Sequence, residues 1–371
     1  MIIGILKERF QDEQRVALSP AGVETLVQSG AQILIETGAG QYARFNDEQY
    51  EKAGATVVYS MEEAAGRADI VLKVMPPNSD EYAVLGEGQT LLSFLLLGMR
   101  NREFVQHALD NRITTIGYEY LRGRDGGFPI LRAMSDISGQ ISAIVASRFL
   151  RSDQGGRGIL LGGLAGVAPA AVVILGMGAS GMAAAQATLG IGAQVIALDT
   201  DIDKLREAES YFGKRITTVM ASPENIRRGV RIADVLIGAI SINDDHSHHL
   251  VSEEMVRTMK EGAVAIDISI NQGGCIETSR PTTIAEPVFI KHGVIHYCVP
   301  NMPSMVARTS TYALTNGLIP YLQQVLADGI GASIDAQGSL RCGVVTHKGV
   351  ATHRILQDLY GIPAQPFECA L

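Results

Sequence analysis

The stretch AVVILGMGASGMAAAQATLGIGAQVIALD, Ala171 to Asp199, decides the fold. Its apolar opening, Ala171 to Leu175, is too continuous for a half-exposed strand and reads as a buried parallel one. The run breaks into Gly176, Gly178 and Gly181, spaced G-x-G-x-x-G. Gly176 permits a tight turn, Gly178 lets the backbone approach a pyrophosphate, and Gly181 lets a helix pack closely on the strand. The helix that follows offers unpaired N–H groups and a positive dipole end to phosphates. A second apolar run, Gln194 to Leu198, ends in Asp199, where a carboxylate accepts ribose hydroxyls. Strand, glycines, helix, strand and acid fall in order, so the stretch reads as a dinucleotide site.

Asp199 also selects the dinucleotide. Its charge repels a 2′-phosphate, and Thr200 and Asp201 supply no arginine in its place, which favours NAD over NADP. As an alternative, Asp199 serves only the helix that begins near Asp201, but that leaves the glycines unexplained.

The 371 residues suffice for two domains with substantial cores. Forty glycines, 46% apolar residues and no Trp suit an α/β protein rich in tight turns. A net charge of −8 argues against nucleic acid or an anionic membrane as the main partner. Cys275, Cys298, Cys342 and Cys369 lack ligand spacing and read as buried free thiols. The opening MIIGILKERF is not a signal peptide, because charge follows a short strand directly. The apolar run Leu91 to Leu97 is too short to span a bilayer. A cytoplasmic protein is the simplest expectation.

Before the dinucleotide unit, strands are expected at Met1 to Leu6, Ile33 to Glu36, Thr56 to Tyr59, Asp69 to Val74, Gln89 to Leu97 and Ile113 to Tyr118. Helices alternate with them: one opens at Ser19-Pro20 and closes at Gly30, one starts at Asn46, one has the capping box Ser60-x-x-Glu63, and one spans Asn101 to Asn111. A further helix runs from about Met134 to Leu150. After Asp199 the alternation resumes, with a helix from Asp203, a strand near Ile216, a helix from Ser222, a strand Asp234 to Ile240, a helix from Ser252 and a strand Ala263 to Ile270. A long helix broken by Pro320 and a tail helix near Gly349 to Tyr360 close the chain. This alternation implies an α/β fold of two doubly wound, Rossmann-like domains with parallel sheets. The plan is an inserted dinucleotide domain (131–304) within a substrate domain (1–130 and 305–371), with a ligand cleft between them.

The whole chain resembles the bacterial L-alanine dehydrogenase family, and more distantly the α subunit of proton-translocating transhydrogenase. The carriers are KER…RVALSPAGV (Lys7 to Val23), GAG with F-x-D and AGA (Gly38 to Ala55), LKV (Leu72 to Val74) and QGGRG-x-LLGG-x-x-GVAPA (Gln154 to Ala170). IDKL (Ile202 to Leu205), ADVLIGA (Ala233 to Ala239), NQGGCIETSRPTT (Asn271 to Thr283), NMP (Asn301 to Pro303) and TSTYALTN (Thr309 to Asn316) continue the match. The resemblance implies the inserted-domain fold, a hexamer, and NAD-dependent oxidative deamination of alanine to pyruvate and ammonia. It makes Ser135, Gly176, Gly178, Ser180, Gly181, Asp199, Lys204 and Asn301 cofactor-binding candidates. It makes Arg15 the holder of the substrate carboxylate, which a guanidinium grips through two parallel bonds.

Other positions depart from the family's pattern. Its catalytic lysine lies two residues after the lysine of LKV, where this chain has Met75 while Lys73 is retained. Its catalytic histidine lies where LSFLLLG has Leu96, and the aspartate opening D-Q-G-G is Asn271. Each positioned acid or base is worth roughly 10²–10⁴-fold in rate, so ordinary alanine turnover is expected to be weak or lost. Lys73 faces the same side of the strand as Met75, although the family has both lysines. His107 reads as a surface residue, and His292 and His296 as structural. The loop Asn243 to His249 gathers Asp244, Asp245, His246, His248 and His249; it reads as a polar solvated loop, and no second cluster completes a metal site. The expected function is an NAD-dependent oxidoreductase of an amino or keto acid, with a larger or less polar substrate suited to Met75 and Leu96. The alternative is a non-catalytic NAD-binding, regulatory homologue, and a third option is a transhydrogenase-like nucleotide subunit.

Overall fold

The computed structural model describes residues 1–99, 102–240, 249–336 and 338–368. The chain divides into two compact units, Met1–Met134 with Val306–Leu371, and Ser135–Met305. The first opens with β1 (Ile2–Ile5), β2 (Gln32–Glu36), β3 (Thr56–Val58), β4 (Ile70–Leu72), β5 (Thr90–Ser93) and β6 (Thr114–Gly117). The second holds β7 (Ala171–Leu175), β8 (Gln194–Asp199), β9 (Ile216–Met220), β10 (Val235–Gly238), β11 (Val264–Asp267), β12 (Val288–Lys291) and β13 (Val294–Tyr297). The chain then returns to the first unit with β14 (Val344–His347) and β15 (Val350–Ala351).

One sheet has the order β15-β14-β6-β5-β4-β1-β2-β3, the other β12-β13-β11-β10-β7-β8-β9. Each unit therefore starts at the middle of its sheet, winds outward one way, and crosses back to wind the other way. The order reverses between β1 and β4, and again between β7 and β10; in open α/β sheets such reversals leave a crevice at the strands' carboxyl ends. Pairing is parallel throughout except at one edge of each sheet, where β14, β15 and β12 run antiparallel to their neighbours.

Local chemistry accounts for the element ends. Ser19 caps the helix Pro20–Gln28, with its side chain accepting from the Gly22 N–H, and Asn46 with Gln49 forms a reciprocal capping box. The core of the first unit gathers Leu34, Val71, Leu91, Phe104 and Val345; that of the second gathers Val173, Leu198, Ile226, Leu236 and Val251. No helix among the described residues is long and apolar enough to cross a membrane.

Several sequence expectations are corrected. The Ser60 hydroxyl takes the Glu63 N–H at 3.2 Å, but Glu63 reaches back to the Tyr59 N–H instead of that of Ser60, so the box is only half formed. The helix expected from Met134 begins at Pro129, a favoured first position, and runs to Phe149. The helix Ala307–Asp328 runs through Pro320 unbroken, because the buried Leu314, Leu318, Leu322 and Val325 pay for the lost backbone bond. The tail contains the hairpin β14–β15 ahead of a short helix, Ile355–Tyr360. Its pairing with β6 is non-local, which no reading of local pattern reveals. The acidic, histidine-bearing stretch 243–248 lies outside the described residues.

Close approach of backbone fixes the second unit. A Cβ on Gly181 would stand 1.9 Å from the Gly176 carbonyl oxygen, and one on Gly139 would stand 2.3 Å from that of Ser180, whereas one on Gly178 meets open space. Gly181→Ala is therefore expected to cost about 1–3 kcal/mol or more, and Gly178→Ala within about 0.5 kcal/mol. Urea unfolding of the two variants checks this; equal losses would show that the Gly181–Gly176 contact is not rigid.

Candidate functional site

In the first unit the residues following β1, β4, β5 and β6 converge at the carboxyl end of the sheet. Lys73 directly follows β4 and is 1% exposed. Its Nζ donates to Glu81 Oε1 at 2.6 Å and to Glu8 Oε2 at 3.3 Å. Glu8 follows β1, and its carboxylate also accepts the N–H groups of Val74 (2.6 Å) and Met75 (3.2 Å). Burial pushes the Glu8 carboxyl up and Lys73 opposes that push. Lys73 is thus the partner of two buried carboxylates, with one donor on each.

Arg15 is 4% exposed and forms a two-pronged pair with Glu13, Nε to Oε1 at 2.8 Å and Nη2 to Oε2 at 2.6 Å. Its guanidinium also meets the sulfurs of Met134, at 3.2 Å, and Met75, at 3.9 Å, and lies 5.7 Å from the centre of the Phe94 ring. Met75 therefore does stand beside Arg15. The buried charge is walled by two thioethers and an aromatic ring, a setting in which an ionic bond is strong and an unmatched charge is costly.

Leu96 is half-buried and has a left-handed backbone, φ +43°. The strand expected to reach Leu97 thus leaves the ladder at Ser93. Here Glu119, two residues past β6, presents a carboxylate that accepts the N–H groups of Leu95 at 3.0 Å and Leu96 at 2.8 Å. Burial pushes this carboxyl up to about 7, against the backbone N–H groups that favour its charged form. Next to it, the Tyr118 ring packs edge-on against Phe94 at 5.4 Å, and its buried hydroxyl has no partner among the described residues.

In the second unit the dinucleotide motif takes up the conformation its glycines permit. Gly176 follows β7 with φ +92°, and a Cβ there would stand 2.6 Å from the Ala239 carbonyl oxygen. The helix Ala179–Ile191 starts at Gly178 with no side-chain cap, and Ser180 is half-buried in its first turn. Asp199 ends β8; one carboxylate oxygen accepts the Met177 N–H at 2.7 Å and the other the Asp201 N–H at 2.9 Å. Asp201 itself caps the helix Ile202–Phe212, on which Lys204 is exposed. Ser135 and Asn301 are half-buried, the first on the helix Pro129–Phe149, the second just before a short helical turn, Met302–Val306. Asn271 is exposed, and its side-chain amide donates to the Pro300 carbonyl oxygen at 2.6 Å. A carboxylate at that position has no proton to give.

Residues 4–138 match the N-terminal domain, and residues 142–354 the C-terminal domain, of the family described as Alanine dehydrogenase/PNT. The chain belongs to this family. It is 40% identical over 372 residues to the alanine dehydrogenase of Methanococcus maripaludis, covering 100% of both chains. It is 42% identical to that of Mycobacterium tuberculosis, covering 98% of each. A solved L-alanine dehydrogenase superposes with a TM-score of 0.92 at 38% identity, covering 97% of this chain and 99% of the other. The transhydrogenase from Sinorhizobium meliloti shares the fold, with a TM-score of 0.81 at 23% identity over 96% of this chain and 100% of the other.

Within the family frame, sequence reading passed over Glu8, Glu13, Glu81, Tyr118, Glu119 and Met134. Glu119 had a signal, since it follows an apolar strand just as Asp199 does. The others act through contacts distant in the chain or stand in a charged loop that reads as solvated.

Glu119 generates a pH dependence. Its carboxyl lies near 7 in the folded chain and near 4.5 when unfolded, so between these values the folded state holds a proton that the unfolded state has lost. The stabilisation is complete below about pH 4.5 and fades as pH rises through about 7, by on the order of 3 kcal/mol. Glu119→Gln removes that slope. Urea unfolding of wild type and variant from pH 4.5 to 8 measures it, and parallel curves would refute the assignment.

Proposed function

We infer that the chain is an NAD-dependent oxidoreductase of an amino or keto acid, whose carboxylate Arg15 holds, and that its alanine turnover is weak. Membership of the alanine dehydrogenase/PNT family over the full chain supports the reaction class. The observation that carries the finer reading is the sulfur of Met75 lying 3.9 Å from the Arg15 guanidinium. An anion-gripping cation here faces a thioether where its relatives are expected to keep a charged amine.

The second unit fits the dinucleotide. Gly178 leaves open space for a pyrophosphate, and the helix behind it presents N–H groups with no side chain competing for them. Each Asp199 oxygen has a lone pair left for a ribose hydroxyl after accepting one backbone N–H. Ser135, Ser180, Lys204 and Asn301 would complete the cradle. Bound there, NAD would supply the hydride acceptor. Arg15 orients the acid by its carboxylate, at the cost of sharing or releasing Glu13. Met75, Phe94 and Met134 exclude water and accept an apolar substituent. Two of the three Lys73 donors are held by Glu8 and Glu81, so its amine is placed as their counter-ion rather than toward Arg15.

That last point also favours the alternative, an NAD-binding homologue without turnover. Assembly as a homo-oligomer, hexameric by resemblance, and a cytoplasmic location belong to either reading.

NAD is expected to bind at least tenfold more tightly than NADP in calorimetric titration. Equal affinities would overturn the role of Asp199. Arg15→Ala is expected to abolish pyruvate binding in the presence of NADH; unchanged binding would remove Arg15 from the site. Alanine oxidation by the wild type is expected to be negligible, and Met75→Lys with Leu96→His to raise it. Histidine enters the left-handed region more readily than leucine, so position 96 should accept it. Asn271→Asp is best added last, because it sets a carboxylate against the Pro300 carbonyl. Robust alanine turnover by the unmodified chain would refute the reading. A folded double variant that binds NAD and pyruvate but gains nothing would favour the non-catalytic one.

A further inference from the structure

The turn after β5 carries a strained residue held from two sides. Leu96, at φ +43°, occupies a region that a leucine enters only at a cost. Its N–H and that of Leu95 are taken by Glu119, and the Tyr360 hydroxyl donates to the carbonyl oxygen of Leu97. Upstream, the Phe94 N–H still donates to the Val74 carbonyl at 2.9 Å. No glycine or asparagine at position 96 calls for this conformation, so the surroundings must impose it.

We propose that Glu119 is a positioning residue for the acid-binding end of the first unit: by taking the N–H groups of Leu95 and Leu96, its carboxylate holds residue 96 left-handed and sets where that side chain stands. The functional part rests on the reading of Arg15, Met75 and Leu96 as a substrate site. Two adjacent N–H groups converge on one carboxylate, and an ionised acceptor bonds them more strongly than a neutral one. Oε1 takes both N–H groups and Oε2 takes that of Leu95 as well, at 3.2 Å; a glutamine keeps one uncharged oxygen for the pair and turns its own NH₂ toward the Leu95 donor.

No charged or titratable side chain among the described residues bonds to Glu119. Burial and then the charge of Glu8 push the Tyr118 hydroxyl up, His353 lies tilted against Tyr120 at 4.6 Å, and Arg341 lies over Phe367 at 4.2 Å; the Tyr118 hydroxyl and the Arg341 Nε have no hydrogen-bond partner among the described residues. What acts on the Glu119 carboxyl is its burial and the N–H groups of Glu119, Leu96 and Leu95. Protonation near pH 7 therefore loosens the turn without another charge to replace it.

The test has two parts on the full chain. In the first, Leu96→Gly and Leu96→Ala are compared by urea unfolding at pH 8, with Glu119 intact and with Glu119→Gln. Glycine should be the more stable substitution while Glu119 is present, because only glycine is at ease left-handed, and its advantage should shrink with glutamine. Alanine equal to or better than glycine in the Glu119 background overturns the proposal, as does an unchanged advantage in the Glu119→Gln background. Should Glu119→Gln not fold, Glu119→Asp, whose carboxylate sits one methylene short of the two N–H groups, takes its place in the comparison. In the second, pyruvate affinity in the presence of NADH is measured from pH 5.5 to 8.5. Wild type is expected to bind at least threefold more tightly at pH 8 than at pH 6, and Glu119→Gln to show no such change. Parallel profiles overturn the positioning role at the site. Absence of pyruvate binding at every pH overturns the substrate-site reading instead, and leaves the first part to judge the hold of Glu119 on the turn.

Discussion

A parallel strand ends with N–H groups that its neighbour's ladder no longer satisfies, and this chain answers that constraint with carboxylates from the adjacent strand. Glu36 at the end of β2 takes the Lys7 N–H after β1. Glu8 after β1 takes those of Val74 and Met75 after β4, and Glu119 after β6 takes those of Leu95 and Leu96 after β5. In the other unit Asp199 of β8 takes the Met177 N–H after β7. An unpaired buried N–H costs about 1–3 kcal/mol, so each carboxylate is first a structural acceptor. The same acceptors stand at the carboxyl ends of the two doubly wound sheets.

Buried carboxylates need compensation, and the cations that supply it are thereby committed. Lys73 serves Glu8 and Glu81, Arg9 pairs with Glu36, and Arg15 pairs with Glu13. These ion pairs tie together the segments that follow the strands, while positions 75, 96 and 271 carry a thioether, an isobutyl group and an amide. Even the amide has a job: Asn271 ties its turn to the loop before Asn301 through a donor that an aspartate lacks.

Legibility in the sequence followed the range of the interactions. The unit from Ala171 to Asp199 is readable because strand, turn, helix and acid are contiguous, and the glycine spacing records contacts only a few residues apart. Helix starts at Ser19, Asn46 and Ser222 were readable for the same reason, since a cap is a bond across three residues. The alternation of apolar strands with capped helices determined the α/β, doubly wound class, because parallel strands require crossovers.

Other features depend on residues far apart in the chain, and only tertiary structure decided them. The hairpin β14–β15 has too little pattern of its own, and exists because β6 offers an edge. Leu96 looks like one more leucine in a strand, and is left-handed because a glutamate 23 residues later takes its N–H. Lys73 looks like a spare catalytic amine, and is spoken for because Glu8 and Glu81 fold onto it. The sequence by itself determined which chemistry is absent from positions 75, 96 and 271. Where the remaining charges point, and what they are already holding, was decided by packing that brings distant carboxylates to the strand ends.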